Sequence, residues 1–218
     1  NGSARDVPSI LTGSFGIEES ASIEFGTKGD YLDGRLRINA AYFFADYQDL
    51  QLAVTKSDGT ITSSNVEADV HGLELEVLAR ATENLDLSLT LGTMNDDIKD
   101  SEKELKNTPD LNYRLGLNYR LPLNTRGELS FGADYSWTDD SFNDTNNAEF
   151  SNTGTYSYLN ARVRWQSPED RWALTLSGNN LQDEFVNIHT FNIANGFISS
   201  VHFTNTPRNW ALNLRYRY

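Results

Sequence analysis

Apolar residues recur at every second position along most of this chain. The last stretch shows it plainly: Trp210, Leu212, Leu214, Tyr216 and Tyr218 alternate with Ala211, Asn213, Arg215 and Arg217. The same period of two runs through Leu36–Phe44, Leu73–Ala79, Leu85–Leu91, Leu111–Leu121, Leu129–Trp137, Leu159–Trp165 and Trp172–Leu176, and more briefly through Ile23 and Phe25. Alternation of this kind belongs to a strand whose two faces meet different surroundings. It predicts nine strands and no amphipathic helix. Within these windows every charged side chain falls on the polar parity, among them Glu24, Arg37, Glu76, Arg114, Asp134, Arg164 and Arg217.

A strand pair in a water-soluble sandwich also alternates, so the parity alone does not say what the apolar face touches. The placement of the aromatics does. Trp210, Tyr216, Tyr218, Trp172, Trp165, Tyr135, Trp137, Tyr42 and Phe44 lie near strand ends, and Leu, Val and Ala fill the middles. That is the distribution of an aromatic girdle at each border of a lipid-facing band. The joins support it. Short ones fall near 29–34, 82–84, 122–126 and 167–170, and longer ones near 55–63, 95–109, 139–154 and 187–206. Short turns at one end and long loops at the other are the plan of an outer-membrane barrel. All five prolines lie outside the strand interiors, as a hydrogen-bonded ladder requires.

Composition changes the picture in three ways. The 218 residues carry 18 Lys and Arg against 31 Asp and Glu, a net charge of −13, which argues against nucleic acid as a partner. There is no cysteine, so disulfides and thiolate metal sites are excluded. Mean hydropathy is −0.54 and no apolar run approaches the roughly 20 residues of a membrane helix, a test that strands escape. The first residue is Asn, with no charged-then-apolar leader after it, which raises the expectation of a processed chain or a fragment.

Several segments, in their order and spacing, resemble one family. They are Glu18 to Gly26 followed by Tyr31-Leu32-Asp33-Gly34-Arg35-Leu36, then Asp46-Tyr47-Gln48-Asp49-Leu50-Gln51, then His71-Gly72-Leu73-Glu74-Leu75-Glu76. Gly178-Asn179-Asn180-Leu181-Gln182-Asp183-Glu184 and the closing Pro207-Arg208-Asn209-Trp210 to Tyr218 complete the set. Together they are similar to the C-terminal part of a TonB-dependent outer-membrane receptor. The resemblance implies an all-β antiparallel meander, here the last nine strands of a 22-stranded transmembrane barrel, with residues 1–218 as one barrel segment and the plug domain and earlier strands absent. It implies residence in the bacterial outer membrane and contact with its lipid. It also implies import of a scarce nutrient, most often a ferric siderophore, with energy from TonB acting through the plug. No cofactor is implied. A passive porin or small closed barrel is the alternative, and a soluble β-sandwich binding module a further one. An odd strand count with two open edges speaks for an incomplete barrel.

Candidate chemistry is sparse. No Ser, His and carboxylate set has a recognisable catalytic spacing, so an enzyme is not expected. The stretches Asn95 to Asp100 and Asp139 to Asp144 lack the mid-loop glycine of a calcium loop and read as solvated loops, so no metal site is expected. His71 reads as structural. The last long loop, with His189, Phe191, Asn192, Phe197, His202 and Phe203, is the candidate ligand-contacting segment. The inward arginines Arg114, Arg120, Arg162, Arg164, Arg215 and Arg217 read as cross-strand salt bridges or plug contacts. By resemblance, Trp210, Leu212, Leu214, Tyr216 and Tyr218 form the signal read by the barrel-assembly machinery.

Overall fold

The computed structural model describes residues 17–56, 60–192 and 200–218. It contains one nine-stranded antiparallel sheet. Eight strands follow one another in chain order: β1 (Glu19–Tyr31), β2 (Leu36–Thr55), β3 (Ile61–Arg80), β4 (Leu85–Ile98), β5 (Leu111–Pro122), β6 (Glu128–Thr138), β7 (Tyr156–Gln166) and β8 (Trp172–Asn179). A two-stranded hairpin, β9 (Asn187–Asn192) and β10 (Ser200–Thr204), then interrupts the sheet, and β11 (Asn209–Tyr216) returns to pair with β8. The sheet is not closed: β1 and β11 each have one neighbour among the described residues.

Register explains why the two faces stay distinct. Side chains in directly opposed positions share a face. One unbroken row of opposed residues crosses all nine strands: Tyr31, Leu36, Ala79, Leu87, Leu117, Ala133, Ala161, Gly178 and Trp210. It begins beside a short turn and ends beside a long loop, so the strands are staggered, as a tilted barrel wall requires. The middle of this face is solvent-open aliphatic surface: Leu115, Leu117, Leu174, Leu176, Leu212 and Leu214 are all exposed. Among the described residues no second sheet covers it. Aromatics border it on both sides, with Tyr113 stacked on Trp137 (5.7 Å) toward the loops and Trp172 against Tyr216 (4.5 Å) toward the turns. His71 lies on this face near the loop-side border, with its ring 6.4 Å from that of Tyr42.

The opposite face is polar and cross-linked. Arg114 pairs with Asp134 at 3.0 Å, and Asn160 donates to the same carboxylate at 2.9 Å. Asp86 takes Arg80 at 3.2 Å and Arg120 at 3.4 Å. Asp170, in the last short turn, holds both Arg215 and Arg217. These groups are half exposed, so each pair adds little stability alone, and their combined effect is to fix neighbouring side chains in place. Of the inward arginines read from the sequence, Arg114, Arg120, Arg215 and Arg217 are thus salt-bridged across strands or to a turn.

The turns obey local sterics. Leu32, Asp33 and Gly34 all have positive φ in the first, and Asn124 and Asp170 do so in two others. Asp, Asn and Gly tolerate that region best. Gly127 is at φ 93° and a Cβ there would run into the carbonyl oxygen of Gln166, so both sterics and packing demand glycine.

Two readings of the joins are corrected. The join expected near 55–63 is short, because β2 and β3 run to Thr55 and from Ile61 and are 20 residues each. About 9–11 residues span a membrane, so roughly half of each strand stands clear of it. The acidic stretch from Asn95 is mostly strand, since β4 extends to Ile98. In these upper segments the charge parity breaks down. Asp46, Asp69 and Asp97 lie directly opposite one another, on the parity that is apolar lower down. Lys99 bridges Asp46 (3.7 Å) and Glu67 (3.3 Å), offsetting a like-charge row that would otherwise destabilise the pairing.

Placing Arg at Leu117 or Ala133 is expected to destabilise the complete barrel by about 2–4 kcal/mol if the site lies near the bilayer midplane. Arg at Asn118, on the opposite face, is expected to be mild. Unfolding from bilayers measures both, and equal costs would contradict the assigned faces.

Candidate functional site

The long connections share one end of the sheet, so the candidate site is built there. Its centre is the loop between β6 and β7. A bridge between Phe142 and Asn152 and a helical turn at Glu149–Ser151 fold this loop into a small body. Ser141, Asn143, Thr145 and Ser151 are buried in it. It is tied to three neighbours. The Glu104 amide donates to Asn147 Oδ1 at 2.7 Å while Asn147 Nδ2 donates back to the Glu104 carbonyl at 3.1 Å. The Asn107 amide donates to the Phe142 carbonyl at 2.8 Å, which completes the tie to the β4–β5 loop. Thr145 Oγ1 donates to the Ala53 carbonyl on the tall part of β2. Asn143 Oδ1 accepts the Thr190 amide of β9 at 3.0 Å. The loops form one hydrogen-bonded body, because buried backbone groups need partners and asparagine side chains supply both donors and acceptors.

The last loop has a clasped base. Asn180, at φ 50°, donates through Nδ2 to the carbonyls of Glu184 (2.8 Å) and Thr206 (3.2 Å), and its Oδ1 accepts the Glu184 amide at 2.8 Å. Asn205 Oδ1 accepts the Val186 amide at 2.8 Å, and Asp183 takes the Arg208 amide at 2.9 Å. The Gly178–Glu184 and Pro207–Asn209 segments singled out in the sequence are therefore the two halves of one clasp.

Above the clasp stands the β9–β10 hairpin. His189 lies directly opposite Phe203, with rings 6.0 Å apart, and both are exposed. His202 lies opposite Thr190, on the other side of the hairpin, with its Nδ1 3.0 Å from Asn187 Nδ2 and 3.2 Å from Thr190 Oγ1. The two histidines thus do not converge. Phe191 pairs with Val201 and Asn192 with Ser200 in the hairpin register, and Phe197 lies outside the described residues. Sequence reading missed Asn147 and Asn187, held Asn180 only as part of the Gly178–Glu184 segment, and took Asn143 into the stretch read as a solvated loop. Their only signal was the density of Asn, Asp and Thr in these loops.

Among the described residues no group of three or more His, Asp or Glu side chains is placed to hold a metal ion. One carboxyl is perturbed by its setting. Burial, followed by the charges of Asp96, Asp110 and Asp140, raises Glu104 above its ordinary value of 4.5. At the far end of the chain, Tyr218 is fully exposed and its ring meets Tyr216 edge-on at 5.1 Å.

One face bordered by aromatics and open to an apolar medium, one polar face, short turns below and loops above define a wall segment of an outer-membrane-type β-barrel. The chain belongs to the TonB-dependent receptor-like β-barrel family, whose model matches residues 5–181. Solved structures share the fold. The ferric yersiniabactin uptake receptor FyuA from Yersinia pestis is 22% identical, with a TM-score of 0.77 over 91% of this chain and 30% of its own. The siderophore receptor PiuA from Acinetobacter baumannii is 21% identical, with a TM-score of 0.70 over 92% of this chain and 29% of its own. The copper transporter OprC is 17% identical, with a TM-score of 0.73 over 91% of this chain and 31% of its own. The chain thus spans about a third of the length of each.

The raised Glu104 titration sets a pH dependence. A group whose pKa is higher when folded contributes stability that is full below its unfolded value and is lost as pH rises through the folded one. Protection of the Glu104 and Asn107 amides from exchange is therefore expected to increase as pH falls toward 4.5, with Glu104→Gln removing that dependence. Protection that declines on acidification would contradict the assigned cause.

Proposed function

We propose that residues 1–218 are the C-terminal barrel segment of an outer-membrane receptor that binds a scarce nutrient outside the cell and imports it with energy from TonB. The observation that supports this most is the apolar row crossing all nine strands while, among the described residues, both sheet edges stay open. Open edges cannot face lipid, where each unsatisfied backbone group costs several kcal/mol, so further strands must close the wall. The inward arginines and aspartates suit a wide, wet or plugged interior. FyuA, a ferric yersiniabactin uptake receptor, and PiuA, a siderophore receptor, favour a ferric siderophore as the nutrient, and the copper transporter OprC shares the same architecture. His189 and Phe203, exposed on the hairpin, are the residues proposed to meet the ligand, with His202 acting on the hairpin's other side.

Uptake of labelled ferric chelates by cells whose only such receptor is the complete protein tests this reading. Uptake is expected to stop when TonB is removed. Uptake that continues without TonB would favour the passive-porin alternative.

We further propose that the chain's end, Trp210, Leu212, Leu214, Tyr216 and Tyr218, is read by the barrel-assembly machinery. An edge strand with alternating side chains can be recognised through its backbone while pockets read every second residue. Deleting Tyr218, or replacing it with Asp, is expected to lower the amount of complete receptor in the outer membrane and to leave ligand affinity nearly unchanged. Normal surface levels with weakened binding would overturn the assignment.

A further inference from the structure

Two corners of the loop end, far apart along the wall, meet at one short segment. The top of β2 and the β9–β10 hairpin, which follows β8, are six strand spacings apart in the sheet, roughly 29 Å at about 4.8 Å per spacing. Yet Thr145 donates to the Ala53 carbonyl, and Asn143 accepts the Thr190 amide at 3.0 Å. Asn143 and Thr145 are two residues apart, which bounds their separation at roughly 7 Å. The top of β2 and the hairpin therefore lean over the interior and converge on the β6–β7 loop. Asn143 and Thr145 are only 5% and 8% exposed, so the junction is buried.

The register of β2 shows how its top is turned inward. Tyr47 lies opposite Ala68, but the next pair is Leu50 with Val66, so β2 carries one extra residue, and Asp49 in this bulge is at φ 54°. An extra residue exchanges the faces of the strand beyond it. Below the bulge Leu36, Ile38, Tyr42 and Phe44 look outward. Above it Leu50, Leu52 and Val54, of the same even series, take the inward parity opposite Val66, Ser64 and Thr62. The inward rows beside them are apolar as well: Ala45 faces Val70, and Tyr47, Ala68 and Ile98 share a row. Ala45, Ala68, Val70 and Ile98 are buried. The β4–β5 loop folds over this side, since the Leu105 amide donates to the inward Asp96 carboxylate at 2.6 Å. The β6–β7 loop is bonded to it in turn at Glu104 and Asn107. The edge of β2 supplies the remaining tie. β1 ends at Glu19, opposite Gln48, and beyond it no described strand pairs with this edge. Side chains bond it instead: the Gln51 amide donates to the Glu18 carboxylate at 3.2 Å, and the Ala53 carbonyl accepts from Thr145.

We propose that the 143–145 segment is a strap that couples the β9–β10 hairpin to the top of β2 and β3, so that the outer loops open and close over the interior as one body. Displacement of either corner is passed to the other through two hydrogen bonds and a few bonds of chain, rather than around the wall. A coupling free energy acts equally in both directions, so each corner reports a break made at the other. The coupling holds whatever the ligand is and stands or falls apart from the uptake reading.

Hydrogen exchange in the complete receptor, followed by mass spectrometry with no ligand present, tests the strap. Thr145→Val removes the hydroxyl that bonds Ala53 and keeps the side chain's size. It is expected to speed exchange of the Thr190 amide in the hairpin by roughly fivefold, the effect of losing one hydrogen bond from the unit that protects it. Asn143→Ala is expected to speed exchange by a similar factor at the other corner, in the Lys56 amide that donates to Thr60 at 2.8 Å. Thr145→Ser, which retains the hydroxyl, is expected to exchange as the native protein does. Effects that stay within residues 139–155, or that Thr145→Ser reproduces, would overturn the proposal. So would acceleration that extends to the β5 amides of Leu115 and Leu117, since the corners would then be linked through the wall and not through the strap.

Discussion

A one-residue slip in any pair of this sheet would turn a whole strand's leucines from lipid into the interior and its arginines from the interior into lipid. Every other feature depends on that register being right eight times in succession. The row from Tyr31 to Trp210 is the visible result, and it holds without a break through strands of very different length. The charged face enforces it from the other side. Arg114 meets Asp134, and Arg80 meets Asp86, only in the observed pairing. In a bilayer the wrong register would place these charges in hydrocarbon, a cost far greater than the small gain of each surface pair.

The same wall explains why the upper ends are built differently. Below the loop-side aromatics the outward face must be apolar. Above them the strands leave the bilayer, the constraint lapses, and aspartates appear on the outward parity at positions 46, 69 and 97. Freed from lipid, the chain satisfies its backbone with side chains instead of ladders. Asn147, Asn180 and Asn205 each bond two or more backbone groups, and Asn143 accepts the Thr190 amide of β9. A loop body assembled from asparagine amides rather than an apolar core stays polar to its centre.

Charge and architecture are linked through this division. Several inward charges of the spanning strands are paired, Arg37 with Asp30, Arg80 and Arg120 with Asp86, and Arg114 with Asp134, which offsets the cost of a charge close to the apolar layer. The loops have no such requirement and carry nearly all of the chain's net charge. The wall itself is a fold shared with FyuA, PiuA and OprC at 17–22% identity.

The period-two pattern by itself determined the nine strands of the sheet and their faces, because lipid on one side and water on the other act on every residue of a strand separately. Aromatic placement likewise showed which face meets the membrane border. Three things were decided only by the tertiary structure. The heights of β2 and β3 were hidden because strand segments above the membrane lose the alternation that reveals strands, as Thr55 to Ser63 shows. The β9–β10 hairpin was hidden because its pairing lies inside a loop with no lipid-facing side. The separation of His189 from His202 depends on the hairpin register, which sets His189 opposite Phe203 and His202 opposite Thr190, and that pairing leaves no periodic trace in the sequence.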